Sequence, residues 1–367
     1  MKVFKKYLFN KKIIITGHTG FKGSWLTLWC ILSGAKVYGI SNKITSNPSH
    51  FGRLKLKKNL KNYKIDIRDH VRLKKIFKKI QPDYVFHLAA QSLVKKSFKE
   101  PFQTFTSNSL GTLNILESLL QIKKRCHAVI ITSDKSYRNL EINRGYKEDD
   151  ILGGDDPYSG SKGAAELIIR SYFKSIIRYK KNLSINVARA GNVIGGGDWS
   201  YDRVIPDCVK SWSKNLAVKI RNPNSTRPWQ HVLEVIRGYL QCAILGKKFK
   251  SKLNGEIFNF GPKKNQNKSV MELVKQMQKN LIKVKLKIKK EKGKKESNLL
   301  KLNSNKAKKI LKWEPILNFK ESVKLTALWY KQFYSNKISC YNLSKKQILF
   351  YEEKLDKHLI KEKIKLL

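Results

Sequence analysis

The stretch Lys12-Ile13-Ile14-Ile15-Thr16-Gly17-His18-Thr19-Gly20-Phe21-Lys22-Gly23 decides the fold. Its first five residues are a β-branched run of buried-strand type. Three glycines follow at once, and Ser24 to Leu32 then carries an apolar helical pattern. A second strand pattern, Ala35 to Ile40, comes after Gly34. Strand, glycine-rich turn, helix and strand in this order open a dinucleotide-binding βαβ unit. The glycines let the backbone approach a pyrophosphate, and the helix N-terminus offers N–H groups to it. Gly17, Thr19, Gly20, Phe21, Lys22 and Gly23 are therefore candidate cofactor contacts. An acid that binds the adenosine ribose ordinarily ends the second strand. Here the chain reads Ser41-Asn42-Lys43, which leaves NAD against NADP open.

The alternation of strands and helices continues downstream. A strand through Tyr63 and Lys64 ends at Asp66-Ile67, where Asp66 is read as an adenine contact or a loop cap. Tyr84 to His87 runs into the small residues Leu88-Ala89-Ala90 and then Gln91, leaving room for a cofactor. Pro101 to Leu120 reads as a helix bearing Asn108. Ala128 to Thr132 is a strand that delivers Ser133-Asp134-Lys135 at its C-terminal end, the edge where open α/β sheets bind ligands. Next comes Asp156-Pro157-Tyr158-Ser159-Gly160-Ser161-Lys162. Proline suits the first helical turn, and residues four apart share a helix face. Tyr158 and Lys162 then point the same way, and a nearby ammonium favours a phenolate.

Beyond Gly195 the alternation loosens. Arg203, Arg227 and His231 lie in loops leading into helices, and the segment after Ser335 reads as a surface helix. Ile288 to Lys295 reads as a solvated loop or edge segment. The expected organisation is a doubly wound parallel α/β sheet over residues 1–190, a smaller α+β part over 191–340 that mainly binds the nucleotide sugar and is interleaved with the first, and a helical tail over 341–367.

Composition excludes several classes. The 367 residues carry 77 Lys and Arg against 27 Asp and Glu, a net charge of +50. The basic residues are spread along the whole chain, and no basic arm, zinc finger or helix-turn-helix concentrates them. The expectation is no nucleic-acid partner, although such charge attracts anionic ligands. The five cysteines form no CxxC, which suits a reduced, cytoplasmic protein. No apolar run is long enough to span a membrane. His18, His87 and His231 show no metal-ligand spacing.

These motifs together resemble the extended short-chain dehydrogenase/reductase family. They are Gly17-xx-Gly20-xx-Gly23, a strand ending in Ser133, and Tyr158-xxx-Lys162. Further stretches resemble the branch of that family that dehydrates CDP-glucose. They are His18 to Leu26, His87 to Gln91, Ser133-Asp134-Lys135, Asp156 to Ser159, Arg189 to Trp199 and Arg227 to Glu234. The resemblance implies a Rossmann-type fold, a recycled NAD, a homodimer and a CDP-glucose substrate. It implies that Tyr158 takes the C4 hydroxyl proton, with Lys162 holding the nicotinamide ribose and Ser133 the C4 oxygen. Asn108 completes a proton relay, Asp134 is an acid, and Lys135 a base or an electrostatic anchor. Leu88, Ala89, Ala90, Asp66 and Ile67 line the cofactor. Gln91, Asn192, Arg203, Arg227 and His231 face the substrate, with turn, ion-pair or packing roles as alternatives. An epimerase would need Tyr158 and Lys162 but not the Asp134-Lys135 pair. A non-catalytic cofactor-binding scaffold would need neither.

Overall fold

The computed structural model describes residues 2–364 except 57–58, 143, 221, 264–265, 282–285 and 289–299. Most of the Ile288 to Lys295 segment lies outside the described residues.

Seven strands form one parallel sheet: β1 (Lys12–Thr16), β2 (Lys36–Ser41), β3 (Leu60–Lys64), β4 (Tyr84–His87), β5 (Cys126–Ile131), β6 (Leu183–Ala190) and β7 (Ile257–Phe260). Their spatial order is β7-β6-β5-β4-β1-β2-β3. β1 pairs with β2 on one side, Ile13 opposite Val37, and with β4 on the other, Ile13 opposite Tyr84. Strand order reverses at β1, which opens a crevice above its C-terminal end.

Side chains along β1 alternate between two cores, as a parallel sheet covered on both faces requires. Ile13 and Ile15 join Trp25 and Trp29 on one face. Ile14 joins Leu73, Phe77 and Leu116 on the other. The first core is served by α1 (Phe21–Leu32), the second by α2 (His70–Ile80) and α3 (Gly111–Leu119). The segment expected as one helix over 101–120 is a short helix, a π-helical turn over Thr106–Leu110, and α3. The helix α4 (Pro157–Ser175) packs across this segment.

The remaining chain supplies α5 (Val204–Trp212), α6 (Val232–Lys248), α7 (Val270–Gln278), α8 (Phe319–Tyr334) and α9 (Cys340–Lys361). Residues after 190 do not stand apart. β7 extends the main sheet beside β6, and α6 packs on β5 and β6. The C-terminal helix is amphipathic, as its spacing suggests, but its inner face enters the main core. Trp29 donates to Glu352 at 2.7 Å, and Tyr351 donates to Glu234 at 2.6 Å. An N-terminal helix, Lys2–Leu8, precedes β1 and buries Phe4 and Leu8, an element not evident from the sequence.

Candidate active site

The glycine turn joins β1 to α1 at the crevice. Gly17 has φ +71°. A Cβ there would lie 2.7 Å from the Ala89 backbone, so only glycine lets the two turns nest. Gly20 is the N-cap of α1 and supplies no side-chain cap. The first N–H groups of α1 are thus left to an anion, the arrangement a dinucleotide pyrophosphate uses. Leu88 is tied to this floor through its N–H to the Thr16 carbonyl at 3.1 Å, and Ala89 through Thr16 Oγ1 at 3.3 Å. Ala90 follows directly. These residues fit a bound dinucleotide. At the far end, Asp66 accepts from the Arg68 guanidinium at 2.8 and 3.0 Å and from Asn42 at 2.9 Å. Those bonds hold its carboxyl well below the usual range despite partial burial. Ile67 is buried beside Gly111.

The α4 helix begins under strong local control. Asp156 accepts from the backbone N–H of Tyr158 and Ser159, both at 3.0 Å, and from the Ser159 hydroxyl at 2.6 Å. Such an N-cap contributes about 1 kcal/mol and fixes the first turn. It sets Tyr158 and Lys162, both buried, against the end of β5. There Ser133 donates to Asp134 Oδ1 at 3.0 Å and hydrogen-bonds Tyr158.

Burial pushes the Tyr158 phenol up, opposed mainly by the Ser133 hydrogen bond and the Arg203 charge. Lys162 is itself pushed down to about 8 by burial, opposed by Glu166. Burial also pushes Asp134 up, against the charges of Lys135 and Arg227 and the Ser133 hydrogen bond. Lys135 is half-buried beside it. The Lys22 amine turns into the same chamber, 3.4 Å from the Tyr239 hydroxyl. Burial, Lys162 and Arg203 push it down to about 7.

The expected substrate residues divide into two groups. Arg203 and Arg227 act electrostatically on Tyr158 and Asp134 respectively, so both guard the chamber. Arg203 also pairs with Asp198 at 3.2 Å. Asn192 is half-buried at the turn after β6, and its carbonyl accepts from Gln230 N–H at 3.1 Å. The others hold structure. Gln91 spends its side chain on Leu93 and Thr104, at 2.7 to 3.1 Å. His231 is wholly buried, caps α6 at Leu233 N–H, and is pushed down to about 3 by burial. Asn108 bonds Gln91 N–H at 2.8 Å, the Gln91 carbonyl at 3.0 Å and Ser161 at 2.9 Å. It clasps the β4 loop to α4, a positioning role.

Sequence reasoning missed Glu166 and Arg189. Arg189 Nε lies 2.7 and 2.9 Å from the two Glu166 oxygens, and Thr132 donates to Glu166 at 2.7 Å. The signal was available, since Glu166 stands one helical step beyond Lys162 on the same face. Glu234 of the Arg227 to Glu234 stretch is also structural. It is buried and accepts from Ile316 and Leu317 N–H at 2.8 and 2.7 Å. Among the described residues no group of three or more His, Cys, Asp or Glu is arranged to hold a metal ion.

Comparison with known proteins agrees with this geometry. The family described as GDP-mannose 4,6 dehydratase matches residues 14–326. A CDP-glucose 4,6-dehydratase of Salmonella typhimurium is 40% identical over 342 residues, 89% of this chain and 92% of that protein. A dTDP-D-glucose 4,6-dehydratase of Dictyostelium discoideum is 30% identical over 249 residues, 64% of this chain and 56% of that one. The solved epimerase Mth375 of Methanothermobacter thermautotrophicus superposes with a TM-score of 0.77 at 25% identity, covering 90% of this chain and 95% of that one. With the family model spanning residues 14–326 and the Salmonella relative covered almost end to end, the chain belongs to the family described as GDP-mannose 4,6 dehydratase, among the extended short-chain dehydrogenase/reductases.

Proposed function

We infer that the chain is a hydro-lyase that converts CDP-glucose to CDP-4-keto-6-deoxyglucose and water, with NAD as its recycled cofactor. The observation that carries this is the placement of a buried, burial-raised Asp134 one hydrogen bond from Ser133, which itself bonds Tyr158. An enzyme that only oxidises C4 has no use for that acid. The 40% identical relative is named for the same reaction.

The C5 proton of a sugar becomes acidic only when C4 is a ketone. Bound NAD⁺ would accept the C4 hydride and return a hydride at C6. Tyr158 takes the C4 hydroxyl proton, helped by the Ser133 hydrogen bond and the Arg203 charge. Ser133 then donates to the ketone oxygen. Lys162 would hold a hydroxyl of the bound cofactor. Asp134, whose pKa burial raises, gives its proton to the departing C6 hydroxyl, which leaves as water. Lys135 stands on the same loop, where an amine takes the C5 proton and later restores one. Arg203 and Arg227 meet the diphosphate, as planar donors suit.

An exposed apolar face supports assembly as a homodimer. Phe102 is 76% exposed, Phe105 41%, Leu110 50% and Leu167 56%. All lie on the 101–119 segment or on α4, which pack together. A second copy covering this face would build a helix bundle next to the site. Among the described residues no helix is long and apolar enough to cross a membrane. All five cysteines are buried and unpaired. A cytoplasmic place in deoxysugar synthesis, such as that of O-antigen, suits these features and a nucleotide-linked substrate.

The test is CDP-glucose incubated with the protein and NAD⁺ in D₂O. Loss of one water, a new methyl signal, deuterium at C5 and no net reduced cofactor are expected. Turnover of only UDP- or dTDP-glucose would overturn the substrate and keep the chemistry.

A further inference from the structure

One buried histidine has no part in the chemistry above, yet its neighbours fix where its proton sits. His87 ends β4 and lies opposite Thr16, the last residue of β1. Its Nδ1 is 2.7 Å from Thr16 Oγ1, and its Nε2 is 3.1 Å from Thr112 Oγ1 on α3. Thr112 has one hydroxyl proton and gives it to the Asn108 carbonyl at 2.7 Å. Towards His87 it can therefore only accept, so Nε2 carries a proton. Burial, with the Lys162 charge nearby, pushes the imidazole down to about 3. The ring is thus neutral and Nδ1 is bare. Thr16 donates to Nδ1, and its oxygen accepts the Ala89 N–H at 3.3 Å.

Every proton in this run has a direction. It leads from Ala89 through Thr16, His87 and Thr112 to the Asn108 carbonyl. The Asn108 amide continues it by donating to Ser161 Oγ at 2.9 Å, and Ser161 donates to the Tyr158 carbonyl at 2.7 Å. The side chains of Thr16, His87, Thr112, Asn108 and Ser161 are all buried. One end of the run is the floor of the glycine turn, since Gly17 nests against the Ala89 backbone. The other end is the first turn of α4, which bears Tyr158 and Lys162. Such a run matters for rate, because a small misplacement of reacting groups costs far more in turnover than in binding.

We propose that His87, fixed as its Nε2–H tautomer, is a positioning residue for the reaction: it locks the cofactor floor to the helix of Tyr158 and Lys162. Its effect on turnover rests on the dehydratase reading, and the tautomer does not. The first measurement is NMR of the whole protein with ¹⁵N-labelled histidine at neutral pH, the His87 signals being those lost in His87→Gln. A protonated Nε2 and a bare Nδ1 are expected. A proton on Nδ1, or on both nitrogens, overturns the proposal. The second measurement is CDP-glucose turnover by His87→Phe and His87→Gln, with cofactor saturating. Phe keeps the bulk of the ring and makes neither bond, whereas the Gln amide can still donate to Thr112. His87→Phe is expected to lower kcat by about tenfold or more, with KM for CDP-glucose within about twofold. His87→Gln is expected to recover about threefold or more of that loss. Equal losses in the two variants overturn the proposal, as does a His87→Phe that unfolds more easily in urea with kcat unchanged. Where His87→Phe does not fold, the tautomer decides. Absence of turnover of any nucleotide sugar by the parent protein would strike the dehydratase reading, and the tautomer would still decide this one.

Discussion

Glu166 on α4 and Arg189 at the end of β6 form a buried ion pair directly beneath the reacting groups, with Arg189 Nε 2.7 and 2.9 Å from the two carboxylate oxygens. Both side chains are almost wholly buried. Arg189 also donates to the Tyr137 hydroxyl at 2.6 Å and to the Glu148 carbonyl at 2.9 Å. The pair therefore ties α4, β6 and the loop after Lys135 into one rigid base. Glu166→Met strands a buried guanidinium and is expected to cost about 3–5 kcal/mol in urea unfolding. The double variant Glu166→Met/Arg189→Met should cost less than the two single losses added together. Purely additive losses would show that the pair is not coupled.

Lys162 gives a pH dependence with a definite sign. Its folded pKa is about 8, below its ordinary value of 10.5. Between those two values the unfolded chain binds more protons, so this group makes the fold more stable as pH rises through that window. Activity runs the other way, because the ammonium is the form that binds a hydroxyl as a donor. kcat/KM for CDP-glucose should fall above about pH 8, and Lys162→Arg should remove that limb while lowering the plateau. The check is a pH–rate profile measured with cofactor saturating.

Asp134 separates stability from activity. Its Oδ2 is buried without a hydrogen-bond partner, and burial raises its pKa. A raised carboxyl destabilises the fold as pH climbs past its unfolded value and the proton must leave. Asp134→Asn should therefore stabilise the protein at neutral pH, by about 1 kcal/mol. The same change removes the proton donor and should reduce water loss by about a hundredfold or more. Thermal unfolding and methyl-signal NMR measure the two effects on one sample.

The exposed apolar face predicts a defined assembly. Phe102→Glu or Leu167→Glu places a charge where Phe102, Phe105, Leu110 and Leu167 are exposed. Light scattering after gel filtration should show a dimer for the parent and a monomer for either variant. Unchanged mass in both would remove this face as the interface. Stability of the isolated chain should change by less than about 0.5 kcal/mol, as for other surface positions.

Gly17 gives a last test at the cofactor turn. Ala at this position combines φ +71° with a Cβ 2.7 Å from the Ala89 backbone. Gly17→Ala should cost about 1–2 kcal/mol and weaken NAD⁺ binding together, because the turn and its neighbour must separate. Calorimetry and urea unfolding check the two.

Much of this architecture was legible in one dimension. The run from Lys12 to Gly23 specifies strand, turn and helix because β-branched residues, glycines and an apolar helix pattern each act locally. The same holds for Asp156-Pro157-Tyr158, where an N-cap and a proline start the helix within three residues. Ser133, Asp134, Tyr158 and Lys162 were readable because strand ends and helix faces project side chains in known directions.

What the sequence alone determined, then, is the order of elements and which residues are candidates for the reacting groups, since strand ends and helix faces follow from short-range spacing. Only the tertiary structure decided which polar residues face the chamber and which hold it up. Gln91, Asn108, His231 and Glu234 carry the same chemistry as site residues, and their partners lie up to 117 positions away. Burial likewise decided the protonation of Tyr158, Lys162 and Asp134. Desolvation depends on what covers a group, and the cover over this site comes from β5, α4, α6 and the loops after β6, segments far apart in the chain.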